Sequence, residues 1–123
     1  MPLGPKHPGT SASRDRRVSF GCVIADPPWS FSNTASRAAA KNHYPTMPTR
    51  QIIRLPVEDW VAPDAHLYLW TTDAHLRDAL DVMVAWGFVY KMTLVWVKVA
   101  ENGNLQIGLG NYYRHAHELC LFG

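Results

Sequence analysis

Between two short runs rich in β-branched and aromatic residues, "AHLYLWTT" over 65–72 and "KMTLVWVKV" over 91–99, the chain carries one helical stripe. Leu76, Leu80, Met83 and Val84 fall at i, i+4, i+7 and i+8, Asp73 can cap the start, and Gly87 can end it. A helix is therefore predicted from about Asp73 to Trp86. Strand, helix and strand in that order make a right-handed crossover unit with parallel strands, which restricts the fold to the α/β class.

Two more runs, "RVSFGCVIA" over 17–25 and "ELCLF" over 118–122, also read as strands. All four suit a sheet covered on both faces. A shorter helix is expected over Thr49–Leu55, ended by Pro56, whose ring clashes with the preceding turn. With 123 residues, 47% of them hydrophobic, the chain can bury one core. Four strands are too few for a complete doubly wound nucleotide-binding domain, and the chain stops at Gly123 just after a strand. The fold is accordingly expected to be incomplete at its C-terminus.

Residues 1–17, "MPLGPKHPGTSASRDRR", are rich in Pro, Gly and Ser and lack the apolar core of a signal peptide. Lys6, Arg14, Arg16 and Arg17 outweigh Asp15, so this segment reads as a flexible basic tail, solvated or else a phosphate-contacting arm, ahead of a folded part at 18–123. The whole chain has a formal charge of only +2, which excludes a strongly basic nucleic-acid clamp. Cys22 and Cys120 lie in apolar runs without metal-ligand spacing, as expected of buried thiols in the cytoplasm. No window approaches the ~20 apolar residues of a membrane helix.

Polar stretches at 30–46 and 100–114 follow strand C-terminal ends, the edge where open parallel sheets bind ligands. At that edge stands "ADPPW", residues 25–29. Pro27 and Pro28 lock the backbone and remove two N–H donors, leaving the Asp26 carboxylate and the Pro27 carbonyl as acceptors. Such a turn can grip both hydrogens of an exocyclic amine and free its lone pair for attack on an electrophilic methyl. Trp29 offers a face for a heteroaromatic ring, or else core packing where the turn merely ends a strand.

Other residues invite weaker assignments. His115 and His117 share a strand face and could begin a zinc site, but no third ligand is evident, so they read as pocket lining or ordinary packing. Lys98 and Arg114 suit phosphate contacts or solvated surface equally. Trp70 and Trp96, within strands, are expected in the core. Gly108 and Gly110 in "IGLGN" lack the preceding strand and following helix of a dinucleotide loop. No Ser or Cys is visibly paired with a base, which argues against a triad hydrolase.

In order along the chain, "ADPPW", "YPTM" (44–47), "LYLWTT" (67–72), "AWGF" (85–88), "LVWVK" (94–98) and "GLGNYYRHAHELCLFG" (108–123) resemble the MT-A family of adenine-amino methyltransferases. The resemblance spans residues 18–123. It implies a Rossmann-like methyltransferase fold, S-adenosylmethionine as donor, and transfer to the N6 amine of adenine in DNA or RNA, with a homo- or heterodimer possible. It makes Asp26, Pro27, Pro28 and Trp29 the catalytic motif, with Asp26 and Pro27 also facing the donor. Tyr44 and Glu118 then line the base pocket, Trp96 lies near it, and Lys98 and His115 complete the substrate-side candidates. Residues 30–46 correspond to a gating loop and 99–114 to a partner-contacting loop. Family motifs are permuted, so much of the donor-binding segment follows the strand that ends here. The alternatives are a non-catalytic nucleic-acid-binding or partner subunit, and amine methylation of cytosine.

Overall fold

The computed structural model describes residues 18–30, 45–108, 110 and 112–123. Its regular elements are β1 (Phe20–Ala25), α1 (Thr49–Ile53), β2 (Val61–Thr71), α2 (Leu76–Ala85), β3 (Met92–Val97) and β4 (His117–Phe122). They form a mixed α/β unit around one four-stranded sheet of order β1-β2-β4-β3. β1 and β2 are parallel, whereas β4 runs antiparallel to both β2 and β3. β2 and β3 thus point the same way, as a strand-helix-strand unit requires, with β4 inserted between them. The described residues of the β3–β4 connection contain no helix, and a return without a crossover permits only antiparallel pairing.

α2 starts later than its stripe suggests. Asp73–His75 form a 3-10 turn first, and Asp73 makes no capping hydrogen bond. Its carboxylate is drawn instead to His117, 2.9 Å away across the sheet edge. The far end behaves as expected: Gly87 adopts a φ of 84°, and the N–H groups of Gly87 and Phe88 donate to the carbonyls of Val84 and Met83 at 3.0 and 2.9 Å. Those two bonds close a Schellman end, and the left-handed backbone there is why the position is glycine. The buried arc is rotated from the predicted stripe. Ala79, Val82, Met83 and Trp86 are buried, whereas Val84 is 75% exposed. At 3.6 residues per turn the four buried residues share one sector and Val84 falls outside it.

The core lies on one side of the sheet. Strand alternation sends Leu67, Leu69 and Thr71 of β2 and Leu119 and Leu121 of β4 to the face where Ile52, Val57, Ala79, Val82 and Met83 pack. The opposite face holds Ile24, Tyr68, Trp70, Leu94, Trp96 and Cys120, in register through the pairs Ile24↔Tyr68, Trp70↔Cys120 and Leu94↔Cys120. These residues line a shallow apolar trough that no described element covers. Two expectations are corrected here. The described sheet is covered on one face, and Trp96 is not core: it is 51% exposed, because its strand position belongs to the open side. Trp70, partly buried, shares that side.

Cys22 is also a correction, being exposed on β1, while Cys120 is buried and unpaired. Burial pushes the Cys120 thiol up, favouring its protonated form. Among the described residues no helix is long and apolar enough to cross a membrane.

The asymmetry of the sheet predicts opposite responses to the same truncation. Leu69→Ala, at a site with no exposure, should lower unfolding free energy by about 2–5 kcal/mol. Ile24→Ala, at a site 72% exposed, should stay within about 0.5 kcal/mol. Urea denaturation followed by circular dichroism separates the two; equal losses would show that the open face is buried in solution.

Candidate active site

The C-terminal ends of β1, β2 and β3 meet the N-terminal end of β4 at one edge of the sheet, as the pairings Ala25↔Leu69, Thr71↔Leu119 and Val97↔His117 require. Asp26 follows β1 there and is exposed. Among the described residues nothing pairs with its carboxylate.

The next three residues form a tight turn. The Trp29 N–H donates to the Pro27 carbonyl at 2.9 Å. This is the i→i+2 bond of a γ-turn whose central residue is Pro28, and with no positive φ outside glycine it is the inverse form. The proline ring fixes φ close to the value that turn needs. The Pro27 carbonyl therefore already has one donor, contrary to the expectation that none competes for it. Its second lone pair is still available, since a carbonyl oxygen carries two. The Pro28 carbonyl accepts the Met47 N–H at 2.8 Å, which ties the turn to the segment entering α1.

Trp29 is only 8% exposed and belongs to the hydrophobic core. Its Nε1–H donates to the Trp70 carbonyl on β2 at 3.1 Å, and its ring lies nearly parallel to that of His75, with centroids 5.7 Å apart and 14° between planes. The indole is thus an anchor beneath the turn and not a free stacking face. Core packing, the second of the two roles open to it from the sequence, is the geometry observed.

At the other side of the edge, Lys98, Trp96 and Glu118 come together. Lys98 Nζ donates to Glu118 Oε1 at 2.6 Å and sits 5.4 Å from the Trp96 ring centroid. Both charged side chains are partly buried, so the pair is less screened than a surface salt bridge. Trp96 meets Trp70 edge-on, with centroids 5.9 Å apart. His115 and His117 are neighbours at 5.5 Å, and His117 is held by Asp73. Among the described residues no three His, Cys, Asp or Glu side chains gather as a metal-binding group.

Gly108 pairs with His115 in an antiparallel bridge, and a Cβ at Gly110 would collide with the Tyr113 carbonyl. Gly110 thus serves close backbone packing in the β3–β4 connection, whereas a Cβ at Gly108 would make only ordinary contact. Arg114 is exposed. Tyr44 and most of the 30–46 loop lie outside the described residues. Two participants were not evident from the residues alone, His75 and the pairing of Asp73 with His117. A polar ring just past a strand end, in "TTDAHL", was the available signal for the first.

Residues 20–123 match the MT-A70 family model. Type II methyltransferase M.MunI from Mycoplasma sp is 26% identical over 105 residues, 70% of this chain and 45% of that protein. The N(6)-adenine-specific methyltransferase METTL4 of Homo sapiens is 26% identical over 110 residues, covering 87% and 22%. The N6-methyladenosine RNA methyltransferase MTA1 of Cryphonectria parasitica is 26% identical over 129 residues, covering 94% and 38%. The chain thus spans less than half the length of each of these relatives.

Replacing Trp29 with Phe keeps a ring but removes the indole donor, leaving the Trp70 carbonyl without it. A loss of about 1–3 kcal/mol in unfolding free energy is expected by chemical denaturation. An unchanged midpoint would mean that the indole N–H anchors nothing.

Proposed function

This chain belongs to the MT-A70 family, and on that footing we propose that it forms the acceptor side of an S-adenosylmethionine-dependent methyltransferase acting on the N6 amine of adenine in DNA or RNA. Residues 18–123 are then the N-terminal part of a Rossmann-like methyltransferase domain, preceded by the basic tail at 1–17. The observation that carries this is the Asp26 carboxylate, exposed and without a described partner, on a diproline turn whose flank is buried in the core.

In this mechanism Asp26 accepts one hydrogen of the target amine. The second lone pair of the Pro27 carbonyl accepts the other, so the nitrogen is held pyramidal and its lone pair points outward. Pro28 keeps the turn closed, and Trp29 mounts it on β2. S-adenosylmethionine, when bound, supplies a methyl group already activated on a positive sulfonium, so no enzyme nucleophile is needed. A carboxylate without a described partner, beside a carbonyl, is an acceptor-only edge and fits that cation, which supports Asp26 and Pro27 as its neighbours. The amine proton shed on transfer passes to Asp26 or to water. Positioning supplies most of the rate.

Trp96 and the Lys98–Glu118 pair support a substrate-side wall across the same edge, with His115 beside His117 as a further candidate. Glu118 is oriented by Lys98, which leaves its second oxygen free to accept from a base edge. Nucleic acid is the partner this chemistry calls for, and a homo- or heterodimer is compatible with the open sheet face.

Asp26→Ala, made in the protein at its native length, should reduce methyl transfer to an adenine-containing oligonucleotide by at least about 10²–10³-fold. Its stability should change by no more than about 0.5 kcal/mol, since the side chain is exposed. Retention of transfer with the carboxylate gone would refute the assignment; nucleoside analysis of the wild-type product distinguishes adenine from cytosine as the target.

A further inference from the structure

We propose that His75 is a positioning residue for the Asp26–Trp29 turn: its buried imidazole, stacked against the Trp29 indole, fixes the orientation in which Asp26 is presented. The inference deepens the functional reading given above and rests on Asp26 being the group that holds the amine.

Among the described residues, two hydrogen bonds attach the turn: Trp29 Nε1–H to the Trp70 carbonyl and the Met47 N–H to the Pro28 carbonyl. A single N–H to carbonyl bond fixes the indole edge but leaves the ring free to swing about the bond axis. A second flat ring packed against its face removes that freedom. His75 supplies this ring at 5.7 Å and 14°, within the range of offset-stacked aromatic pairs, and both residues are buried.

His75 reaches this place because α2 does not begin directly after β2. Thr72 is extended, the 3-10 turn at Asp73–His75 intervenes, and His75 itself has a non-helical backbone with φ −114° and ψ 13°. One turn further on, Asp78 Oδ2 lies 3.6 Å from His75 Nδ1, beyond hydrogen-bond reach but close enough for electrostatic attraction. A leucine at this position would fill the space without presenting a flat face.

Hydrogen exchange of the indole N–H groups, read by NMR on the full chain, tests the idea independently of activity. In His75→Ala the Trp29 Nε1–H and the Met47 amide should exchange faster by about tenfold, the population change set by loss of one aromatic pair. The Trp86 Nε1–H, bonded to the Ile52 carbonyl at 3.0 Å elsewhere in the same core, should be unchanged. His75→Phe keeps a flat ring and should restore wild-type protection at Trp29. Equal acceleration at Trp29 and Trp86 would mean general loosening and overturn the proposal, as would unchanged exchange at Trp29 or failure of the Phe variant to rescue. In protein of native length, His75→Ala should lower kcat with KM for the methyl donor unchanged. A wild-type protein inert toward adenine would sink the functional reading, while the exchange result would still decide the role of His75 in holding the turn.

Discussion

A buried indole N–H bonded to a strand carbonyl ties the loop after β1 to β2, and much of the candidate site depends on that link. Without it the diproline turn would be a rigid piece on a loose mount. Proline restricts only local backbone angles, and a γ-turn spans three residues, so neither can orient a carboxylate relative to the rest of the sheet. Trp29 converts local stiffness into placement by joining the turn to the same core that holds Leu67, Leu69 and Met83. The candidate site turn and the hydrophobic core are in this sense one construction.

The reversal of β4 organises the other half of the edge. Because β4 enters the sheet where β3 leaves it, its first residues, His117 and Glu118, lie beside the last residues of β3. Two side chains that are twenty residues apart in sequence, Lys98 and Glu118, thereby become a contact pair. Asp73, from the β2–α2 junction, is brought to His117 by the same arrangement. Charged and aromatic groups are gathered at the edge while the covered face is mainly apolar.

How much of this could be read from the residues varied with the range of the interaction involved. The four strands, α2 and its glycine stop follow from local patterns, and they appear within a few residues of their expected bounds. Alternation along β2 and β3 shows which side chains share a face but not which face the helices cover. That is why Trp96 is exposed while Trp29, whose local context suits a surface turn, is buried. Asp73 carries the composition of a helix cap, yet a non-local histidine competes for its carboxylate. The Asp26–Pro27–Pro28–Trp29 motif stood out from chemistry alone, whereas the γ-turn occupying one lone pair of Pro27 required backbone geometry.

The connection from β3 to β4 leaves and re-enters the sheet at the edge of the candidate site. It is held near its base by bonds such as Lys98 N–H to the Ala116 carbonyl, at 2.7 Å, so its ends are already brought together. Extending a loop whose ends are fixed costs only about 0.6 kcal/mol for each doubling of length. Insertions at this point would enlarge or reshape the rim of the site with little effect on the packing beneath. The architecture therefore uncouples evolutionary change in what the site admits from selection on whether the chain folds.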